Sequence, residues 1–263
     1  MSTAVELAVK DDVAHVTFRT ESGIHILDAQ ARSQLQDVLV RLESDNSYRV
    51  VVFQAEGRTF LAGADIREMH QLTPATAREY SREGQRLMRR IVHLSAVTVA
   101  AIHAPCVGGG CELSLCCDLR LAAASARIGL PEVSLGMIPG WGGTVRSTRL
   151  LGPALARRLI LTAELLDAET ALRIGLVDAV FPDDQFRAAI DQRVAQLLTR
   201  APKAAAMSKR LSRVFSGEEA DDELFAQEAS EFGNCFQTLE PSEGMGAFLD
   251  KRPPNWELQS PPS

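Results

Sequence analysis

The sequence predicts an α/β fold with a largely parallel sheet. Three observations carry that reading: short apolar, β-branched runs recur up to about residue 180, helical patterns stand between them, and the strand signal stops after Pro182. With 46% hydrophobic and 24% charged residues, the 263-residue chain has the composition of a globular protein rather than a disordered or fibrous one. The length is ample for a sizeable core. Aromatics make up only 5%, so that core is expected to be aliphatic and alanine-rich.

Taken in order, Val13, Ala14, His15, Val16, Thr17 and Phe18 alternate in the manner of a half-buried strand. Leu27, Ala31, Leu35, Val38, Leu39 and Leu42 then share one helical face. Residues 50–53 (Val-Val-Val-Phe) and 98–102 (Thr-Val-Ala-Ala-Ile) are continuous apolar runs that suit buried strands. Between them an amphipathic helix is expected from Pro74 to about Leu94, with Pro at its start and Leu87, Met88 and Ile91 on one face. A helical run over 111–118 follows a glycine-rich turn. Beyond Pro182, residues 186–199, 203–215, 218–236 and 241–250 each read as a helix, separated by Ala201-Pro202, Ser216-Gly217 and Glu240-Pro241. These last helices carry many charges and few large side chains, the pattern of a set that packs onto something else. The expected organisation is a core at 1–200, a helical region at 201–252 and a proline-rich tail at 253–263. No internal repeat stands out from spacing alone.

Charge and composition exclude several function classes. The net charge of -6 argues against generic nucleic-acid or anionic-membrane binding. No apolar stretch reaches the length of a membrane span, because His103 and Glu112 interrupt the best candidate. The start, Met-Ser-Thr-Ala-Val-Glu, lacks the basic and apolar regions of a signal peptide, so a cytoplasmic address is expected. Four of the five cysteines (Cys106, Cys111, Cys116, Cys117) crowd together without the C-x2-C spacing of zinc sites, among small apolar neighbours. They read as buried, reduced packing residues, and no metal is expected. His103 reads as structural. The sequence has no G-x-S-x-G elbow and no H-E-x-x-H. The basic groups at 86–90 and 209–213 read as solvated helix faces.

Three glycine-rich segments remain, at 61–66, 107–112 and 138–144. None is a dinucleotide fingerprint or a P-loop. The second follows a strand and opens a helix, where free N–H groups and the helix dipole favour a developing negative charge. A plain strand-to-helix turn accounts for the same pattern equally well. Glu112 and Glu132 stand beside these turns in apolar surroundings. Each is explicable as an ordinary helix-start residue, or as a carboxyl whose pKa is raised for acid–base work near neutral pH.

At these segments the chain resembles the crotonase superfamily, and most closely its enoyl-CoA hydratases. The likeness is an ordered series over roughly residues 5 to 255: Phe60-Leu61-Ala62-Gly63-Ala64-Asp65-Ile66-Arg67-Glu68-Met69, then Gly108-Gly109-Gly110-Cys111-Glu112-Leu113 with Cys117-Asp118, then Gly129-Leu130-Pro131-Glu132 with Leu135 to Gly140. Gly175-Leu176-Val177-Asp178 and Phe248-Leu249-Asp250-Lys251-Arg252 fit as well. The resemblance implies a spiral core of repeated β-β-α units and a helical C-terminal region used to form a homotrimer or a dimer of trimers. It also implies an acyl-CoA substrate, with coenzyme A as part of that substrate and no separate cofactor, in fatty-acid β-oxidation.

The same resemblance implies site roles. Backbone N–H groups of Ala64 and Gly109 form the oxyanion hole for the thioester oxygen. Glu132 delivers a proton to the α-carbon, and Glu112 orients and deprotonates the water that attacks the β-carbon. Ala62, Asp65, Ile66, Arg67, Gly140, Trp141, Phe248 and Lys251 are implied to bind the acyl group or the coenzyme. Having both glutamates favours hydration over the alternatives, double-bond isomerisation or hydrolysis of a less usual acyl-CoA. A non-catalytic or RNA-associated homologue is the remote alternative. Two departures stand out: His25-Ile26-Leu27 replaces a common Asn-Ala-Leu, and Trp141 occupies a position that is small in the short-chain enzymes. A bulky ring there shortens, bends or flattens the acyl pocket.

Overall fold

The computed structural model of the chain describes residues 2–45, 47–69, 74–135, 138–215, 252 and 255. The helices expected at 218–236 and 241–250, and Phe248 and Lys251, lie outside the described residues. In chain order the elements are β1 (Ala4–Lys10), β2 (Val13–Arg19), α1 (Ala29–Ser44), β3 (Val50–Ala55), α2 (Ile66–Met69), α3 (Pro74–His93), β4 (Val97–Ile102), β5 (Cys106–Val107), α4 (Gly109–Ser114), β6 (Leu119–Ala123) and β7 (Arg127–Gly129). A 3-10 turn (Glu132–Leu135) follows, then α5 (Gly143–Thr162), β8 (Leu166–Asp167), α6 (Ala168–Arg173), β9 (Ala179–Phe181), α7 (Phe186–Leu198) and α8 (Pro202–Phe215).

Six strands form the main sheet in the order β1-β2-β3-β4-β6-β9. Only β1 is antiparallel to its neighbour; every other pair is parallel, as the alternation of strands and helices predicts. The β1–β2 hairpin, absent from the sequence reading, turns through Asp11 and Asp12, both at positive φ (48° and 64°). Helix α1 starts where Asp28 accepts a hydrogen bond from Ala31 N at 2.8 Å.

Strand β2 was expected to be half-buried, and it is covered on both faces. Ala14, Val16 and Phe18 join the α1 and α3 side of the core, with Leu35, Leu39, Met88 and Ile91. Val13 joins Val50, Val52, Val99 and Leu121 on the other face, under Phe186, Ile190 and Val194 of α7. Parallel sheets bury both faces in this way, which is why β3 and β4 read as unbroken apolar runs.

Strands β2, β3, β4 and β6 each lead into a short segment that stacks in parallel with its neighbour. Leu27 bridges to Ala64, Leu61 bridges to Cys106, and Cys106 pairs with Ile128. After each comes a helix: α1, then α2 and α3, α4, and α5. The result is a spiral of β-β-α turns. The repeat escapes the sequence because its second strand is only one to three residues long.

A further expectation is overturned. The group at 209–213 is not a solvated face: Lys209 is buried, 2.6 Å from Asp118 Oδ2, and donates to Ala96 O at 2.7 Å. Arg213 donates to Val92 O. These bonds hold α8 against the start of β4. Among the described residues no helix is long and apolar enough to cross a membrane.

Candidate active site

The spiral brings together the ends of two consecutive turns. Phe60 N donates to Pro105 O and Val107 N to Leu61 O, both at 2.9 Å, so residues 60–64 run beside 105–109. Gly108 precedes α4 at φ +55°. A Cβ there is strained and meets Glu132 Oε1 at 3.2 Å. A Cβ on Gly109 would lie 3.5 Å from Ala64 N. The two predicted N–H groups, of Ala64 and Gly109, are therefore neighbours. Gly109 is the first residue of its helix, where an N–H has no intrahelical acceptor. The helix is shorter than the run expected over 111–118, so the site rests on individual N–H groups more than on a dipole.

Glu112 is 2% exposed, and its Oε1 accepts two backbone hydrogen bonds, from Trp141 N at 2.7 Å and Gly143 N at 2.8 Å. Burial, and then the neighbouring Glu132 carboxylate, push the Glu112 pKa up to about 7 against the pull of those two N–H groups. Glu132 is 8% exposed, and burial raises its pKa as well. Its Oε2 is buried without a protein partner among the described residues. Two buried carboxyls that repel one another thus stand beside a pair of backbone donors. One is held rigidly, and the other keeps an oxygen to offer.

The remaining predicted residues divide. Trp141 is 3% exposed, and its ring edge (Cζ3, Cε3) lies 2.8 and 3.1 Å from a Cβ built on Gly109, so it walls the site. Gly140 O accepts from Ser81 Oγ at 2.6 Å and Gln85 Nε2 at 3.2 Å, which ties this loop to α3. Ala62 N donates to His25 O at 2.7 Å. Asp65 accepts from Arg67 N at 2.9 Å, while the Arg67 side chain is 85% exposed and the Ile66 residue 54%. Asp65, Ile66 and Arg67 directly follow Ala64 in the chain. His25 itself is fully buried, with Nδ1 2.8 Å from Thr59 O, and burial lowers its pKa. It packs inward and supports the loop at 59–62. His103 is likewise structural: its Nε2 donates to Gly57 O at 3.0 Å.

Four cysteines (106, 111, 116 and 117) are buried free thiols, and burial pushes Cys106 and Cys116 up to about 12. Such thiols are inert packing groups.

The sequence reading passed over four residues around Trp141. Gly143 supplies the second bond to Glu112. Tyr80 sits 5.6 Å from the indole, ring centre to ring centre. Arg32 lies over the Tyr80 ring and pairs with Glu68 at 2.5 Å. Gly84 stands on α3 where a Cβ would overlap the indole. An isolated glycine inside an amphipathic helix was the available signal for the last of these.

The chain is similar to known proteins over nearly its whole length. The family described as Enoyl-CoA hydratase/isomerase matches residues 8–259. The chain is 34% identical over 252 residues to the crotonyl-CoA hydratase of Syntrophomonas wolfei subsp. wolfei, covering 95% of this chain and 96% of that protein. It is 35% identical over 250 residues to the short-chain-enoyl-CoA hydratase of Clostridium acetobutylicum, covering 94% and 95%. The crystal structure of an enoyl-CoA hydratase from Bacillus anthracis superposes with a TM-score of 0.88 at 29% identity, covering 98% of this chain and 99% of that one. The chain belongs to the enoyl-CoA hydratase/isomerase family, and its fold is the crotonase spiral.

Proposed function

We propose that the protein is an enoyl-CoA hydratase, adding water across the 2,3 double bond of a 2-enoyl-CoA to give the 3-hydroxyacyl-CoA. The observation that carries this reading is the pair of buried carboxyls, both with raised pKa, beside the neighbouring N–H groups of Ala64 and Gly109. The thioester oxygen accepts from both N–H groups, and the negative charge that develops there as water adds is stabilised by them. Glu112, fixed by Trp141 N and Gly143 N, takes a proton from water while the water oxygen bonds to C3. Glu132, protonated, gives its proton to C2. The π electrons pass into the new C2–H bond by way of the enolate, and proton exchange with solvent resets the pair.

In the same reading Ala62, Asp65, Ile66 and Arg67 line the path of the coenzyme, and Phe248 and Lys251 reach its adenine end. Coenzyme A is part of the substrate, and the reaction asks for no other cofactor. Residues 201–252 serve assembly into a trimer or dimer of trimers, and the protein works in the cytoplasm in fatty-acid β-oxidation.

The test is loss of the conjugated thioester absorbance of crotonyl-CoA, with the product weighed by mass spectrometry. Hydration adds one water, whereas isomerisation adds nothing. Glu112→Gln and Glu132→Gln are each expected to lower kcat by at least about 10²-fold. Variants as fast as the parent would overturn the assignment.

A further inference from the structure

The indole of Trp141 meets one glycine at each of its two rings. Its five-membered ring (Cδ1, Nε1, Cγ) lies where a Cβ on Gly84 would be, and its six-membered ring (Cζ3, Cε3) lies 2.8 and 3.1 Å from a Cβ on Gly109. The ring therefore spans the gap between helix α3 and the start of α4 with no room to spare at either end. It is also fixed from the side. Tyr80 packs against it at 38°, and the Arg32 guanidinium lies 6.0 Å from the indole ring centre.

Gly84 strengthens the point. Alanine is better than glycine inside a helix by about 0.5–1 kcal/mol, so a glycine at the middle of α3 needs a reason. The indole supplies one.

This span lies in the path of the acyl chain. With the thioester oxygen between the N–H groups of Ala64 and Gly109, the first acyl carbons stand beside Gly109, against the edge of the indole. The carbon that receives water faces Glu112, whose carboxylate is held by the backbone of Trp141 itself. Carbons beyond it meet the ring. The cation behind the ring is already matched: Arg32 bonds Glu68 through both terminal nitrogens, at 2.9 and 2.5 Å. A carboxylate at the far end of an acyl chain finds that charge already neutralised.

We propose that the Trp141 indole, seated between Gly84 and Gly109, is the end wall of the acyl site and restricts the enzyme to short, uncharged 2-enoyl groups of crotonyl size. The inference rests on the hydratase reading and adds its substrate class. An extra methylene in a fitted apolar pocket changes discrimination by about 10–200-fold, so the effect is large enough to measure.

The experiment compares kcat/KM for crotonyl-, 2-hexenoyl- and 2-octenoyl-CoA, and for a 2-enoyl-CoA ending in a carboxylate, using the full-length chain. The parent is expected to lose at least about tenfold between crotonyl- and 2-octenoyl-CoA, and to reject the carboxylate ester. In Trp141→Ala the ratio of octenoyl to crotonyl activity rises at least about tenfold. Gly84→Ala supplies an independent arm. With Trp141 in place it drives the indole into the site and lowers crotonyl-CoA activity about tenfold or more, and in the Trp141→Ala background that cost largely disappears. A parent that hydrates 2-octenoyl-CoA or the carboxylate ester as well as crotonyl-CoA overturns the proposal, and so does a folded Trp141→Ala variant with an unchanged ratio. A parent that hydrates none of the four esters overturns the hydratase reading, and this inference with it.

Discussion

Glu112 carries opposing demands. As the base that takes a proton from water it must be ionised, yet burial and Glu132 hold its pKa near 7. The acid limb of kcat/KM is therefore expected near pH 7, far above the range of an exposed glutamate. Burial raises the Glu132 pKa as well, and activity also falls where Glu132 loses the proton it must deliver. Because the two carboxyls interact, these limbs belong to the pair. A limb near pH 4.5, the ordinary glutamate value, would sink this account. Stability moves the other way. A carboxyl whose folded pKa lies above its unfolded value favours folding while protonated. That contribution is whole below about pH 4.5 and is lost as pH rises through about 7. Glu112→Gln keeps an oxygen to accept from Trp141 N and Gly143 N but never ionises. It is expected to raise the melting temperature at pH 8, by an amount equivalent to about 3 kcal/mol at most, and to have little effect at pH 4.5. The parent gives up that stability for a base poised near neutrality.

At the scale of elements, the attachment of α8 turns on one buried ion pair. Asp118 Oδ2 receives Lys209 at 2.6 Å together with Thr98 N at 2.7 Å and Thr98 Oγ1 at 2.9 Å. Removing the lysine leaves a half-satisfied carboxylate under a displaced helix. Lys209→Ala is expected to cost about 3 kcal/mol in urea unfolding, while kcat on crotonyl-CoA stays within about twofold at low temperature. A cost below about 1 kcal/mol would return Lys209 to the surface role that its sequence suggests.

That residue also marks where legibility ends. Long periodic elements were readable because local pattern alone defines them: α1 from its apolar face, α3 from Pro74 onward, α7 and α8 within a residue of their ends, β3 and β4 from unbroken apolar runs. Strands β5 and β8, two residues each, were not, because only pairing with distant segments makes them strands. In the site, Glu112 and Glu132 were visible as carboxyls in apolar surroundings. The backbone N–H groups of residues 141 and 143 that hold Glu112 were not, since any side chain can stand over such a bond.

Across the whole molecule, a single chain leaves large apolar side chains in water. Val145, Leu150 and Leu161 on α5 are 51%, 41% and 69% exposed, and Leu165 and Leu172 just after it are 44% and 40% exposed. Scattered exposed apolar residues need no explanation, but five between residues 145 and 172 are a concentration, and such concentrations mark contacts between proteins. Burial of these side chains between copies would fit the trimeric assembly proposed for residues 201–252. Light scattering on the purified protein is expected to give three or six times the 28.6 kDa of one chain. Leu161→Glu, at the most exposed of these positions, places an unpaired charge in the contact and shifts the mass toward that of one chain. The carboxyls of Glu112 and Glu132 lie within one spiral, so protomers released in this way should keep a measurable crotonyl-CoA hydration rate unless the neighbouring copy completes the coenzyme site. Loss of mass with a rise in KM and little change in kcat would place a partner's residues at the coenzyme. A mass of one chain for the parent itself would remove the trimer and leave these exposed side chains without the role argued for them.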